Sequence, residues 1–186
     1  MMNLPNNLTL LRIALIPVFV ACFYAPIPYQ YPIASLVFAV AALTDLLDGY
    51  LARRLDLVSP LGAFMDPVAD KLMVAVVLVL LVQRDPSVWI ALPAAIIIGR
   101  EITISALREW MAELGARSKV AVSVFGKVKT TAQMIALILL VYRAPEFGLP
   151  VYEIGVVLLY IAAILTLVSM FQYLFFAWPK LREKSR

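Results

Sequence analysis

The 186-residue sequence contains no histidine and a single cysteine, Cys22. Those absences remove a disulfide framework and any zinc site built from soft ligands. Glycine is scarce at seven residues, and none of them forms a Gly-rich phosphate loop. No nucleic-acid motif, internal repeat or low-complexity segment is visible, so nucleic acid is not an expected partner. Charge is sparse as well: 15% of residues are charged against 63% hydrophobic, and the mean hydropathy is +0.93. A soluble domain of this length does not carry that balance. The chain is expected to live in a bilayer.

What is there is apolar and arranged in runs. A spanning helix needs about 20 mostly apolar residues, and six such stretches fit residues 8–24, 32–53, 61–82, 88–110, 120–141 and 151–177. The connections between them are short, which favours one compact all-α domain over 1–186. In it six transmembrane helices form a single bundle with a cytoplasm-facing polar cavity, and sequential helices are antiparallel neighbours. A short juxtamembrane segment precedes the first helix and a basic tail, 178–186, follows the last. The first run does not read as a secretory signal: no basic residue precedes Arg12, Pro17 interrupts it, and five more apolar runs follow. Tyr31, Trp89, Trp110 and Trp178 sit near helix ends, as interfacial anchors do.

Lys and Arg are retained on the cytoplasmic side of a membrane. With six spans, one side holds both termini and Arg53, Arg54, Arg108, Arg117, Lys119, Lys180, Arg182, Lys184 and Arg186, while the opposite loops hold only Arg84 and Arg143. Both termini are therefore expected in the cytoplasm, and the net charge of +4 follows from this belt. Anionic membrane lipids are its expected neighbours.

Carboxylates inside such helices are costly, about 2.5–3.5 kcal/mol each on insertion scales, and mark function by default. Four occur together. Asp45 and Asp48 lie near the end of the second run, Asp66 and Asp70 near the start of the third. At about 1.5 Å per residue, both pairs lie one to two turns below the same surface. At about 100° per residue, Asp45, Asp48, Gly49, Ala52 and Arg53 share an arc of roughly 140°, and Gly62, Asp66 and Asp70 one of about 80°. Two polar stripes can thus face one another. Four acids in one partly dry pocket repel unless a cation neutralises them, and Mg²⁺ or Mn²⁺, as a pair, suits an all-oxygen donor set. Gly49 and Ala52 let a large ligand approach the backbone between the acids, and Arg53 offers a fork for phosphate. Two other readings of the acids stay open at this point. They could pair with Arg53, Arg54 and Lys71 merely to fix helix packing, or serve an ion or proton transporter, although transporter sites lie nearer the bilayer centre.

The run Asp45-Leu-Leu-Asp48-Gly49-Tyr-Leu-Ala52-Arg53, with Gly62, Asp66 and Asp70 beyond it, reproduces the pattern D-x₂-D-G-x₂-A-R-x₈-G-x₃-D-x₃-D. In these eight fixed positions the chain resembles the CDP-alcohol phosphotransferases. The likeness extends to the opening segment from Asn3 to Thr9 and to the segments 99–101, 108–115 and 126–133. It implies a divalent-metal-dependent enzyme of the bacterial inner membrane, with its active site and termini cytoplasmic, built as a homodimer. The reaction implied is transfer of a phosphatidyl group from CDP-diacylglycerol to sn-glycerol 3-phosphate. The products are phosphatidylglycerol phosphate, on the route to phosphatidylglycerol and cardiolipin, and CMP. Other acceptors, such as inositol phosphate or serine, belong to the same chemistry. Carried over by position, Asp45, Asp48, Asp66 and Asp70 are metal ligands and Asp70 is also the catalytic base; Gly49, Ala52, Arg53, Ser59 and Gly62 serve the CDP-lipid.

A phosphorylated acceptor needs cations, and Arg100, Lys127, Lys129 and Arg108 are the candidates. Lys127 and Lys129 are about 200° apart on a helix, so at most one points straight into a shared cavity. Lys127 is preferred because Gly126 and Thr131 fall on its side, and Lys129 could instead snorkel to the headgroups. Arg100 could pair with Glu101 or with a carboxylate across the bundle.

Overall fold

The computed structural model describes residues 4–54, 60–113, 124–143 and 149–184. Among the described residues there are six helices and no strand: α1 Leu4–Tyr24, α2 Gln30–Arg54, α3 Pro60–Arg84, α4 Val88–Glu113, α5 Val124–Tyr142 and α6 Val151–Lys184. The predicted runs match these elements to within a few residues, with one clear difference at the end. Helix α6 continues to Lys184, so most of the expected tail is helical. Pro17, Pro67 and Pro93 lie inside α1, α3 and α4, which continue through them. A membrane helix tolerates proline because neighbouring helices and side chains satisfy the backbone groups it frees.

Among the described residues, three helices are long and apolar enough to cross a membrane: Asn6–Tyr24, Val88–Ala112 and Val151–Phe175. In α5 the apolar stretch is the shorter Val128–Tyr142. Helix α3 carries Asp66, Asp70 and Lys71 within its first turns, so the residues that suggest function also dilute its hydropathy.

Contacts between named residues give the helix directions. Along α1 and α2, Phe19 stacks near Phe38 and Phe23 near Tyr31, so one number rises as the other falls. The two helices are antiparallel. Thr9 and Arg12 of α1 reach Asp66 and Asp70 of α3 in the same order, so that pair is parallel. Ser35 of α2 donates to the carbonyl of Ile138 on α5 at 2.9 Å, and Trp89 and Arg100 of α4 meet Tyr160 and Ser169 of α6. The helices therefore alternate in direction along the chain. One end of the bundle collects Asp45, Asp66 and Asp70, and the other collects Tyr24, Arg84, Asp85, Tyr142 and the start of α6.

The core lies at the middle, where Phe19, Phe38, Val77, Leu78, Ile97, Leu137, Leu140 and Leu159 are almost wholly buried. Large apolar side chains also face outward; Leu36 is 64% exposed and Phe171 63%. Water would penalise such a surface, whereas lipid tails match it. Lipid equally removes the hydrophobic drive between helices, leaving close packing of small residues to hold them. Buried Ala34, Ala69, Ala136, Ala162 and Ala163 serve that role. A close approach is at Gly155 of α6, where a β-carbon would lie 2.9 Å from Leu140 Cγ and 3.3 Å from Leu139 Cβ on α5. Gly155→Leu is expected to force α5 and α6 apart and cost about 1–3 kcal/mol by overpacking. Thermal unfolding of the purified protein in detergent checks this, and an unshifted midpoint would mean that α5 and α6 do not rely on the contact.

Candidate active site

Thr9 and Arg12 stand one turn apart on α1, and Asp66 and Asp70 one turn apart on α3. Because the helices are parallel, the pairs meet rung by rung: the Thr9 hydroxyl donates to Asp66, and Arg12 Nη1 donates to Asp70. The same Nη1 lies 3.0 Å from Asp45 Oδ1 on α2. One guanidinium nitrogen therefore joins a carboxylate from each of two helices. Arg12 and Thr9 are buried, at 2% and 1% exposure, while the side chains of Asp45 and Asp70 are 28% and 39% exposed. The acids keep a route to solvent while their cation sits beneath them.

This arrangement links Asp45 to Asp70 through Arg12, with Asp66 one turn from Asp70 and bonded to Thr9. Asp48, Gly49, Ala52 and Arg53 follow on the last turns of α2, but their side chains lie outside the described residues, as does Ser59 entirely. Gly62 is buried in the first turn of α3. Of the cations weighed as partners for the acids, Lys71 turns elsewhere and donates to Ser105 Oγ on α4. The partner that sequence reasoning missed is Arg12. Its signal was present: an arginine within an apolar helix, three residues after Thr9, at nearly the spacing of Asp66 and Asp70.

The donor chemistry fits a hard divalent ion, since every acidic donor is oxygen and the chain has no histidine. Among the described residues no three carboxylates form a metal-holding group by themselves, and Asp48 is outside that set. Asp45 and Asp70 nevertheless share one cationic nitrogen, so the two carboxylates can share a cation.

A second charged cluster lies between α4, α5 and α6. Arg100 Nη1 meets Glu101 Oε1 at 2.7 Å, Lys129 Nζ meets the same oxygen at 3.2 Å, and Arg100 Nη2 donates to Ser169 Oγ at 3.1 Å. Lys129 is 6% exposed. It does not snorkel, because Glu101 gives the buried ammonium a partner that the headgroups would otherwise supply. The expected preference for Lys127 over Lys129 thus omitted Glu101; the Lys127 side chain lies outside the described residues. Two cations on one carboxylate leave a net positive charge. Arg108, two turns further along α4, does not join them: it is exposed and stacks over Tyr173 at 5.6 Å. Ser105, which accepts from Lys71, itself donates to the backbone carbonyl of Glu101 at 2.5 Å.

Of the expected anchors, Trp89, Trp110 and Trp178 are exposed. Tyr31 is instead half-buried beneath the Arg84 guanidinium, which lies 3.5 Å from its ring centroid.

Comparison with known proteins gives a consistent result. The family model described as CDP-alcohol phosphatidyltransferase matches residues 2–169. A protein of Pseudomonas fluorescens named CDP-diacylglycerol--glycerol-3-phosphate 3-phosphatidyltransferase is 56% identical over 186 residues, covering 100% of this chain and 95% of its own. Proteins of the same name from Pectobacterium atrosepticum and Escherichia coli K12 are 59% and 55% identical over 172 residues, covering 92% of this chain and 93% of theirs.

Proposed function

The chain belongs to the CDP-alcohol phosphatidyltransferase family, and from that premise we infer that it moves a phosphatidyl group from CDP-diacylglycerol to sn-glycerol 3-phosphate. The products are phosphatidylglycerol phosphate and CMP. The observation that carries the reading is the meeting of Asp45 and Asp70 on one cationic nitrogen, one turn from Asp66. Acids gathered at one end of a membrane bundle, beside a cluster of net positive charge, suit a diphosphate donor and a phosphorylated acceptor.

Asp45, Asp48, Asp66 and Asp70 would hold divalent metal, Mg²⁺ or Mn²⁺, as two ions. When bound, such ions polarise the diphosphate and stabilise the departing CMP. Asp70, among the more open of these carboxylates, takes the proton from the acceptor hydroxyl as that oxygen attacks the β-phosphorus of the donor. The bond from that phosphorus to the CMP oxygen breaks, and CMP leaves with the electron pair. Gly49, Ala52 and Gly62 leave room for the CDP-lipid backbone, while Arg53 and Ser59 bind its diphosphate and nucleotide. Arg100 and Lys129, joined through Glu101, receive the acceptor phosphate, with Lys127 and Arg108 as further candidates.

The six helices all cross the membrane in this reading, with termini and catalytic end in the cytoplasm of the inner membrane. The charge bias supports that side. A homodimer is the proposed assembly.

The test is incubation of purified protein with CDP-diacylglycerol and a panel of alcohols, following CMP release. Glycerol 3-phosphate is expected to turn over fastest, and faster inositol phosphate or serine turnover would move the chain to another branch. In the same assay Arg100→Gln should weaken kcat/KM for glycerol 3-phosphate by roughly 2 kcal/mol or more, with a much smaller change for CDP-diacylglycerol. Equal weakening of both substrates would assign Arg100 to the fold or to the donor.

A further inference from the structure

At the end of the bundle opposite Asp45, Asp66 and Asp70, a cleft of about 630 Å³ opens between the α1–α2 turn and the ends of α3 and α5. Arg84, Arg143, Tyr29, Tyr31, Tyr142 and Gln30 line it. Its two cations are held by aromatic faces and, for Arg84, by a carbonyl. Arg84 lies over the Tyr31 ring and donates through Nη1 to the Val141 carbonyl at 2.9 Å. Arg143 lies 4.8 Å from the Tyr152 ring centroid. Among the described residues neither guanidinium pairs with a carboxylate; nearby Asp85 accepts instead from the Tyr152 hydroxyl. Two like charges beside one cleft repel, and an anion between them removes that repulsion.

The backbone adds a second observation. Tyr29 and Arg143 both have left-handed backbone, with φ of 64° and 54°, which large side chains seldom adopt. Both line the cleft, Tyr29 just before α2 and Arg143 just after α5. Such conformations persist where the surroundings hold them, and they cluster at ligand clamps.

We propose that this cleft binds the phosphate of an anionic phospholipid headgroup, at a site separate from the catalytic one. A guanidinium pair suits a phosphodiester through charge-assisted, fork-shaped contacts, and tyrosines are at home at headgroup depth. Lipid is favoured over free phosphate by what adjoins the cleft. From its rim, Ile33, Leu36, Val40 and Leu43 form an exposed apolar stripe down α2 at helical spacing, along which an acyl chain can lie.

The experiment is native mass spectrometry of the purified full chain in neutral detergent, titrated with phosphatidylglycerol or phosphatidylcholine. The wild type should retain one phosphatidylglycerol with about tenfold preference over phosphatidylcholine, the scale of a single charge-assisted contact. Arg84→Gln with Arg143→Gln should abolish that preference while CMP release at the far end stays within about twofold. Gln30→Glu leaves both arginines in place but puts a carboxylate on the cleft wall, and should cause the same loss. It keeps the test decisive if the double variant folds poorly. Retention of the preference in Gln30→Glu, or in a folded double variant, would overturn the proposal. So would displacement of the lipid by millimolar inorganic phosphate, which would assign the cleft to a free anion.

Discussion

Asp70→Asn is expected to lower CMP release from CDP-diacylglycerol and glycerol 3-phosphate by at least about 10²-fold, the scale of losing one group that acts on the transition state. The amide keeps the size of the carboxylate but can neither take the acceptor proton nor bring a negative charge to a divalent ion. Asp66→Asn should lose activity to a similar degree, and chelation should silence the wild type until Mg²⁺ or Mn²⁺ is restored. Insertion and yield should be little changed, because in Asp70→Asn the buried Arg12 keeps Asp45 at 3.0 Å as its counter-charge, and in Asp66→Asn the amide oxygen can still accept from Thr9. Steady-state CMP release by each variant, beside size-exclusion profiles, gives the answer. A well-folded Asp70→Asn enzyme with normal turnover would remove Asp70 as the base, and an enzyme indifferent to chelator would remove the metal from the mechanism.

Arg12→Ala should be nearly as damaging, for a different reason. Arg12 is buried and ties Asp45 to Asp70 through one nitrogen. Its loss leaves two facing carboxylates without that counter-charge. Breaking a buried ion pair from one side costs about 3–5 kcal/mol; the lower figure is appropriate, because the Asp70 side chain is 39% exposed and water screens it. Divalent metal should return much of that stability, since an ion that binds only the folded state stabilises it by mass action. Melting curves of Arg12→Ala with and without millimolar Mg²⁺ are the measurement. The metal-dependent rise should exceed that of the wild type. An equal rise in both proteins would mean that Arg12 and the ion do not share the same carboxylates.

The two outcomes together separate chemistry from support. Asp70→Asn is expected to remain stable and inactive, whereas Arg12→Ala is expected to be unstable in a way that metal relieves. If the two behaved alike, the carboxylates would be serving helix packing alone.

The sequence by itself determined the membrane class and the places of the six helices, though not the end of α6 at Lys184, because a run of about 20 apolar residues is a local property that needs no partner to be read. It also put Asp45 on one polar stripe and Asp66 and Asp70 on another that could face it, since helical phase fixes direction within a helix. Which charges meet was another matter. Arg12 is 58 residues from Asp70, and only the parallel packing of α1 on α3 makes its spacing from Thr9 coincide with that of the acids. Lys129 shows the same limit: helical phase separated it from Lys127 but favoured Lys127 for the inward side, and the buried state of Lys129 depends on Glu101 arriving from α4. The opposite cleft was invisible for the same reason, as Arg84 and Arg143 appear in the sequence only as stray charges in two short loops. A charge within a bilayer is tolerated only where another helix supplies its partner, and that supply is settled by the tertiary packing.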